Sequence, residues 1–266
     1  MKEKDHMEKC WRRRPSLAWT GAGGGQADLT RLGAQSYSFR TYDLEGSIHC
    51  LQELGLPMME YCSVHFPPDA THPNFAQVKE RLQAAGIKAS CFGVEGFGAD
   101  MAANRKKFEF AQAMGVKVLT ADPTPEAFDS LDMLCEEFQV KIAIHNHGPG
   151  ARYDSVQDTV KAVEGRHPFV GACVDTGHVI RSGEAPHEVI QALGDRVHSV
   201  HLKDWKTGGE EQVIGEGDLD LLRVAKALKT IGFNGPIIME YELDPDGPVP
   251  GMKKGMEHWR KAASMV

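Results

Sequence analysis

Four absences narrow the reading of this 266-residue chain. No apolar run approaches the roughly 20 residues that a membrane-spanning helix needs, so no membrane partner is expected. Positive charge is not in excess. Lys and Arg number 30 against 37 Asp and Glu, a formal net charge of −7, so nucleic acid is a poor default partner. The six cysteines, at positions 10, 50, 62, 91, 135 and 173, form no C-x-x-C pair and no ladder of short spacings. That pattern fits free thiols in a reducing compartment, some of them core filler, better than a disulfide frame. Finally, no Gly-rich phosphate loop follows the first apolar run, where the chain reads Ser36-Tyr-Ser-Phe-Arg40. An open doubly wound sheet would often carry one.

What is present is the composition of a soluble globular protein, with 41% hydrophobic and 25% charged residues. The length suits one large α/β domain able to bury a core without staples. The first 30 residues stand apart. They carry Arg12-Arg13-Arg14 and then Ala22-Gly-Gly-Gly-Gln26. A basic run invites a signal-peptide reading, but Leu17-Ala-Trp19 is too short for the apolar segment that should follow. Residues 1–30 are expected to be a flexible extension outside the fold, and the location cytoplasmic; a degenerate export signal is the alternative.

From Leu32 onward, short apolar runs alternate with amphipathic stretches of helical length. Predicted strands Leu32–Ser36, Leu56–Glu60, Ile87–Cys91 and Val116–Thr120 precede predicted helices Leu44–Leu54, Asn74–Ala85, Met101–Met114 and Glu126–Phe138. Strands Val140–Ile144, Val170–Val174, Val197–His201 and Pro236–Glu240 precede helices Ser155–Glu164, Ala185–Leu193, Leu219–Ile231 and Met252–Ala263. Nearly continuous apolar strands separated by helices imply a parallel sheet with both faces covered. Eight such units make a closed (β/α)8 barrel, a single domain over residues 31–266. Gly55, Gly86, Gly115 and Gly232 each follow a predicted helix, where a left-handed C′ residue is wanted.

Chemistry in such a barrel sits at the C-terminal ends of the strands. Strand 2 ends at Glu60 and strand 5 at His145-Asn-His147. Strand 6 ends at Asp175-Thr-Gly-His178, strand 7 at His201-Leu-Lys-Asp204 and strand 8 at Glu240-Tyr-Glu242. Each has an ordinary explanation alone: a hydrogen-bonded structural histidine, an Asp that caps a turn, a Glu in a surface ion pair. Together they would be costly to desolvate unless a cation or substrate pairs with them. Mixed imidazole and carboxylate donors suit Mn, Co, Zn or Fe better than Ca.

The segments Ile-His-Asn-His147, Val-Asp-Thr-Gly-His178, Val-His-Leu-Lys-Asp204, Ile-Gly-Glu-Gly217 and Ile-Met-Glu-Tyr-Glu242 resemble the xylose-isomerase-like TIM-barrel superfamily. That superfamily holds sugar phosphate isomerases and epimerases, hydroxypyruvate isomerase, ketose 3-epimerases and inosose dehydratases. The resemblance spans about residues 31 to 265 and is specific for the superfamily, not for one reaction. It implies that Asp175, His201 and Glu240 are ligands of one divalent metal (Mn, Co, Zn, Fe or Mg). His145 stands where the epimerases place Glu. Either it completes a site of two imidazoles and two carboxylates, or it acts as a base beside a metal with three protein ligands. An imidazole there would leave the metal more electron-poor and a stronger Lewis acid.

The implied chemistry is proton abstraction next to a carbonyl, with a metal holding the substrate oxygens and stabilising the enediolate. The resemblance makes Glu240 an acid/base as well and His178 a sugar contact. Glu60 and His147 are further candidates for proton transfer or substrate contact. Lys203 orients a sugar oxygen and Asp204 holds His201 or a water, or the two form a local ion pair. His65 touches substrate or is a loop histidine without a role. Trp205 packs on a sugar face or covers the barrel mouth. The reading is a sugar isomerase or epimerase, with a lyase or dehydratase on a keto-sugar or inosose as alternative. No arginine cluster marks a phosphate site, which favours an unphosphorylated sugar or polyol. An abasic-site endonuclease of the superfamily would need Asp-x-His after His201 and Glu at strand 5; this chain has Trp205-Lys-Thr-Gly-Gly and His145. A barrel that binds sugar without turnover is the last alternative, and fold analogy alone suggests a homodimer.

Overall fold

The computed structural model describes residues 28–266. The predicted extension, its basic run and the export alternative lie outside the described residues, apart from residues 28–30. Eight parallel strands close into a barrel. They are β1 (Leu32–Gln35), β2 (Met58–Tyr61), β3 (Lys88–Phe97), β4 (Val118–Pro123), β5 (Lys141–His145), β6 (Val170–Asp175), β7 (Val197–Leu202) and β10 (Ile237–Met239). Between β7 and β10 a short antiparallel hairpin, β8 (Asp204–Trp205) and β9 (Glu211–Gln212), leans over the mouth. Helices α1 (Leu44–Leu54), α2 (Phe75–Ala84), α3 (Met101–Met114), α4 (Phe128–Phe138) and α5 (Val156–Val163) follow the first five strands. Two helices, α6 (Thr176–Arg181) and α7 (Pro186–Leu193), follow β6; α8 (Leu221–Thr230) and α9 (Val249–Ala263) complete the ring. Among the described residues no helix is long and apolar enough to cross a membrane.

The local causes are visible. All six residues of β6 are buried, as expected for a parallel strand covered on both faces. Helices start on side-chain caps: Asp43 accepts from the Gly46 N–H, Asp100 from the N–H groups of Ala102 and Ala103, and Ser155 forms a reciprocal box with Asp158. Gly55 and Gly115 end α1 and α3 in the left-handed region, with φ of 64° and 86°. The fully buried Trp259 of α9 donates its indole N–H to the Leu29 carbonyl at 2.7 Å, tying the end of the barrel to its start.

Most predicted boundaries shift by up to three residues, and two differences are larger. β3 runs on to Phe97, beyond the predicted end at Cys91. Gly93 invites an early stop, but here its missing side chain lets β3 approach β4: a Cβ would lie 2.2 Å from the Thr120 carbonyl oxygen. The chain also turns helical immediately after Asp175, one helix earlier than predicted. The core lies mainly between strands and helices. Cys91, Val118, Ala143 and Cys173 form a separate small cluster inside the barrel. The five described cysteines are all buried and free.

Candidate metal centre

β5 and β6 end in His145 and Asp175, His201 is the penultimate residue of β7, and β10 is followed by Glu240. Parallel register sets Asp175 beside His201 and His145 beside Cys173. The barrel therefore gathers donors that lie far apart in sequence. His145 Nε2 is 3.1 Å from His201 Nδ1, and Glu240 Oε2 is 2.9 Å from that same nitrogen. Asp175 Oδ2 lies 3.6 Å from His145 Nε2, too far for a hydrogen bond. One donor atom from each of the four residues falls within 4.8 Å of the others. Asp175 and His201 are fully buried, His145 nearly so, and Glu240 is 9% exposed.

A divalent ion fits this ring on two observations. Donors at 2.0–2.3 Å from one ion lie at most about 4.6 Å apart, so the observed spread needs only small side-chain shifts. Asp175 Oδ2 is buried without a hydrogen-bond partner, a costly state for a carboxylate oxygen unless a cation faces it. The other face of His201 is held as well: Nε2 lies 3.0 Å from Oε2 of the fully buried Glu60. A carboxylate behind a ligating imidazole fixes its tautomer and raises its basicity.

Two motifs now have physical reasons. In His145-Asn-His147 the middle side chain binds both backbone groups of Asp175: Asn146 Oδ1 accepts its N–H at 2.8 Å and Nδ2 donates to its carbonyl at 3.1 Å. In Asp175-Thr-Gly-His178, Asp175 Oδ1 caps α6 by accepting the His178 N–H at 2.8 Å. The ordinary reading of this Asp as a cap thus holds for one oxygen, while the other faces the ring. Thr176 Oγ1 donates to the Lys203 carbonyl at 2.6 Å and accepts its N–H at 3.0 Å. Gly177 leaves room for the Lys203 stem, since a Cβ there would meet its Cγ at 2.8 Å.

A family model described as Xylose isomerase-like TIM barrel matches residues 48–262. The chain belongs to this family. Inosose dehydratase of Clostridium botulinum (strain Eklund 17B / Type B) is 27% identical over 158 residues, 52% of this chain and 53% of that protein. The chain spans about half the length of the first curated relatives it matches. Among solved structures, a protein from Parabacteroides distasonis ATCC 8503 is 29% identical with TM-score 0.70, covering 87% of this chain and 98% of that one. The IOLI protein, solved with a zinc atom bound, is 19% identical with TM-score 0.67, covering 88% and 95%, and shares the fold.

Around the ring of this family member, charge is divided. Burial opposes ionisation of Asp175, yet His178, His145 and Lys203 hold its carboxyl well below the usual range. Burial likewise opposes ionisation of Glu240, but Lys203 and His201 bring it down to about 2. His145, His147 and His178 are pushed down, chiefly by burial. His201 runs the other way: against burial, Cys173, Glu60 and Glu240 raise it.

His147 lies 3.5 Å from His145 between Nδ1 atoms, and its ring is 5.2 Å from that of His178. His178 Nδ1 accepts from Arg181 Nη1 at 2.9 Å, and that guanidinium stacks 4.7 Å over the ring of Trp205. Trp205 therefore packs on Arg181 and donates to the Gly209 carbonyl. Lys203 donates to Glu242 and lies 3.9 Å from Glu211 and 4.0 Å from Glu240.

Three expectations need correction. Asp204 does not hold His201. It accepts four backbone N–H groups instead, from Trp205 and Leu219 on Oδ1 and from Gly215 and Gly217 on Oδ2, at 2.8–3.0 Å. Nor do Lys203 and Asp204 form a local ion pair, because neighbours on an extended segment point to opposite sides. His65 is not with the ring. It sits edge-on to Tyr61 and lines a cavity of about 360 Å³ between α1 and α2, with Asp43, Phe66 and Arg81. Glu211, Arg181 and Asn146 were not singled out from sequence. Asn146 had a signal, standing between two candidate histidines; Glu211 and Arg181 follow no strand end and had none.

Proposed function

We propose that this barrel is a metal-dependent enzyme that removes a carbon-bound proton next to the carbonyl of an unphosphorylated keto-sugar or polyol ketone. The observation that carries the reading is the buried ring of His145, Asp175, His201 and Glu240 with its unpartnered Asp175 oxygen. A divalent ion there supplies Lewis acidity toward a substrate carbonyl. The residues do the rest. Glu240 binds His201 through Oε2, which leaves Oε1 to take the carbon-bound proton. Lys203, 4.0 Å from that oxygen, faces the negative charge left on the substrate. His147 and His178 lie on the side of His145; His147 takes a proton from solvent and delivers it to the substrate, while Glu240 releases the one it took. Return to the same carbon gives an epimerase and to its neighbour an isomerase.

Loss of water is the second reading, favoured by a specific group. Glu211 is raised to about 7, chiefly by burial, and so keeps a proton near neutrality that it can hand to a departing hydroxyl. The likeness to inosose dehydratases points the same way. The phosphodiesterase reading loses support, because both candidate donor groups among the described residues share His145 and His201, which does not suit a cluster of three zinc ions.

The test is hydrogen exchange. Protein loaded with Mn²⁺, Co²⁺ or Zn²⁺ is incubated in D₂O with inososes, ketoses and keto-glycosides. Deuterium is expected at the carbon beside the carbonyl, lost on chelation and in Glu240→Gln. No exchange or turnover with any metal overturns the proposal.

A further inference from the structure

Cys173 stands two residues before Asp175 on β6. Period-two alternation turns both side chains into the barrel, with the thiol one layer, about 7 Å, below the carboxylate. Register sets His145 beside it on β5. The Cys173 Sγ and one ring nitrogen each of His145 and His201 lie within 4.8 Å of one another. None of the three is more than 2% exposed. The two imidazoles of the rim therefore have an oxygen pair above them and a sulfur below. Such a stack separates ions by softness, since carboxylates suit Mn²⁺ and Mg²⁺ while thiolate selects softer ions.

We propose that Cys173 is a further ligand of the metal centre, giving it a thiolate floor that soft divalent ions take together with His145 and His201. Hard ions use the same imidazoles with Asp175 and Glu240. When a soft ion enters, the S–H bond breaks, the proton leaves to solvent and the sulfur lone pair forms the metal bond. The inference rests on the reading of the rim as a metal site, but not on any reaction.

The experiment is a titration of the metal-stripped full chain with Co²⁺, followed by absorption, and in parallel with Cd²⁺. Wild type is expected to develop visible d–d bands and an intense near-ultraviolet sulfur-to-cobalt band, both saturating at one ion per chain. Cys173→Ser keeps the visible bands and loses the near-ultraviolet one; Cys173→Ala serves the same purpose if the serine variant does not fold. Cd²⁺ gives the corresponding ultraviolet band in wild type alone. Visible bands without a sulfur band in wild type overturn the thiolate floor and leave the rim site standing. A sulfur band that persists in both variants overturns it too, assigning the ligand to another cysteine. Absence of both kinds of band overturns the inference together with the metal centre.

Discussion

Asp175 and Asp204 are both fully buried aspartates at the mouth of the same barrel, yet their surroundings differ in kind. Asp204 receives four backbone N–H groups, two on each oxygen. Gly217 comes so close that a Cβ would lie 2.3 Å from Oδ1. Asp175 receives one N–H on Oδ1 and none on Oδ2, which faces the imidazoles instead. Burial alone does not distinguish a structural carboxylate from a functional one. Saturation does. A carboxylate whose lone pairs are all met by fixed N–H groups is part of the frame, and one left open toward other donors is part of a site.

The largest effect should come from Asp175→Asn. Metal affinity is expected to fall by more than about 100-fold, measured by calorimetric titration. The metal-free protein should lose no more than about 1 kcal/mol in urea unfolding, because the lost attraction to Lys203 is offset by removal of a desolvated charge and the amide oxygen still caps the His178 N–H. Asp204→Ala should show the reverse: about 3 kcal/mol of lost stability from several stranded N–H donors, with one metal still bound per chain. A folded Asp204→Ala protein that no longer binds metal would break the comparison.

Glu60→Gln should sit between these two. It removes the charge behind His201 while keeping a hydrogen-bond acceptor, and is expected to weaken metal binding between about 10- and 100-fold with little change in unfolding midpoint. An unchanged affinity would reduce Glu60 to a filler of the barrel floor.

The smallest effect concerns His198, three residues before His201 on the same strand. Its ring is buried against the Ile142 carbonyl at 3.0 Å, and burial pushes its pKa from 6.5 down to about 3. The folded state keeps this ring neutral, whereas the unfolded chain protonates it below 6.5. Its contribution to stability is therefore complete above pH 6.5 and declines as pH falls toward 3. At pH 5 the metal-free wild type should have lost about 2 kcal/mol relative to His198→Gln. Unfolding midpoints of both proteins at pH 7 and pH 5 check this, and parallel pH slopes would count against it.

The eight-unit barrel was legible because the strand-then-helix period held in every unit and Gly placement agreed at Gly55, Gly86, Gly115 and Gly232. The four ring donors were legible because each ends, or directly follows, a predicted strand. Partners across the barrel were harder. Glu60 and His201 are 141 positions apart, and their meeting depends on strand stagger, which no local pattern encodes. The misreading of Asp204 had an available remedy. It lies three positions after His201, an odd step, so an extended chain turns the two to opposite faces. Lys203, at an even step, faces the ring side. Glu211 was not legible because its hairpin interrupts an irregular segment with no periodicity to read. His65 illustrates the converse, since a histidine in a rim loop can turn outward between helices.

The donors His145 and Asp175 end two strands, His201 stands one residue before the end of a third, and Glu240 follows a fourth. Each is followed by its own loop and helix, so each can be exchanged without rebuilding the others. The centre is in that sense assembled from independent parts. A single replacement such as His145→Glu would redraw the charge and hardness of the whole ring while leaving the barrel's hydrogen-bond ladder intact. On the proposed reading of the ring as a metal site, the ion it prefers would change one strand at a time.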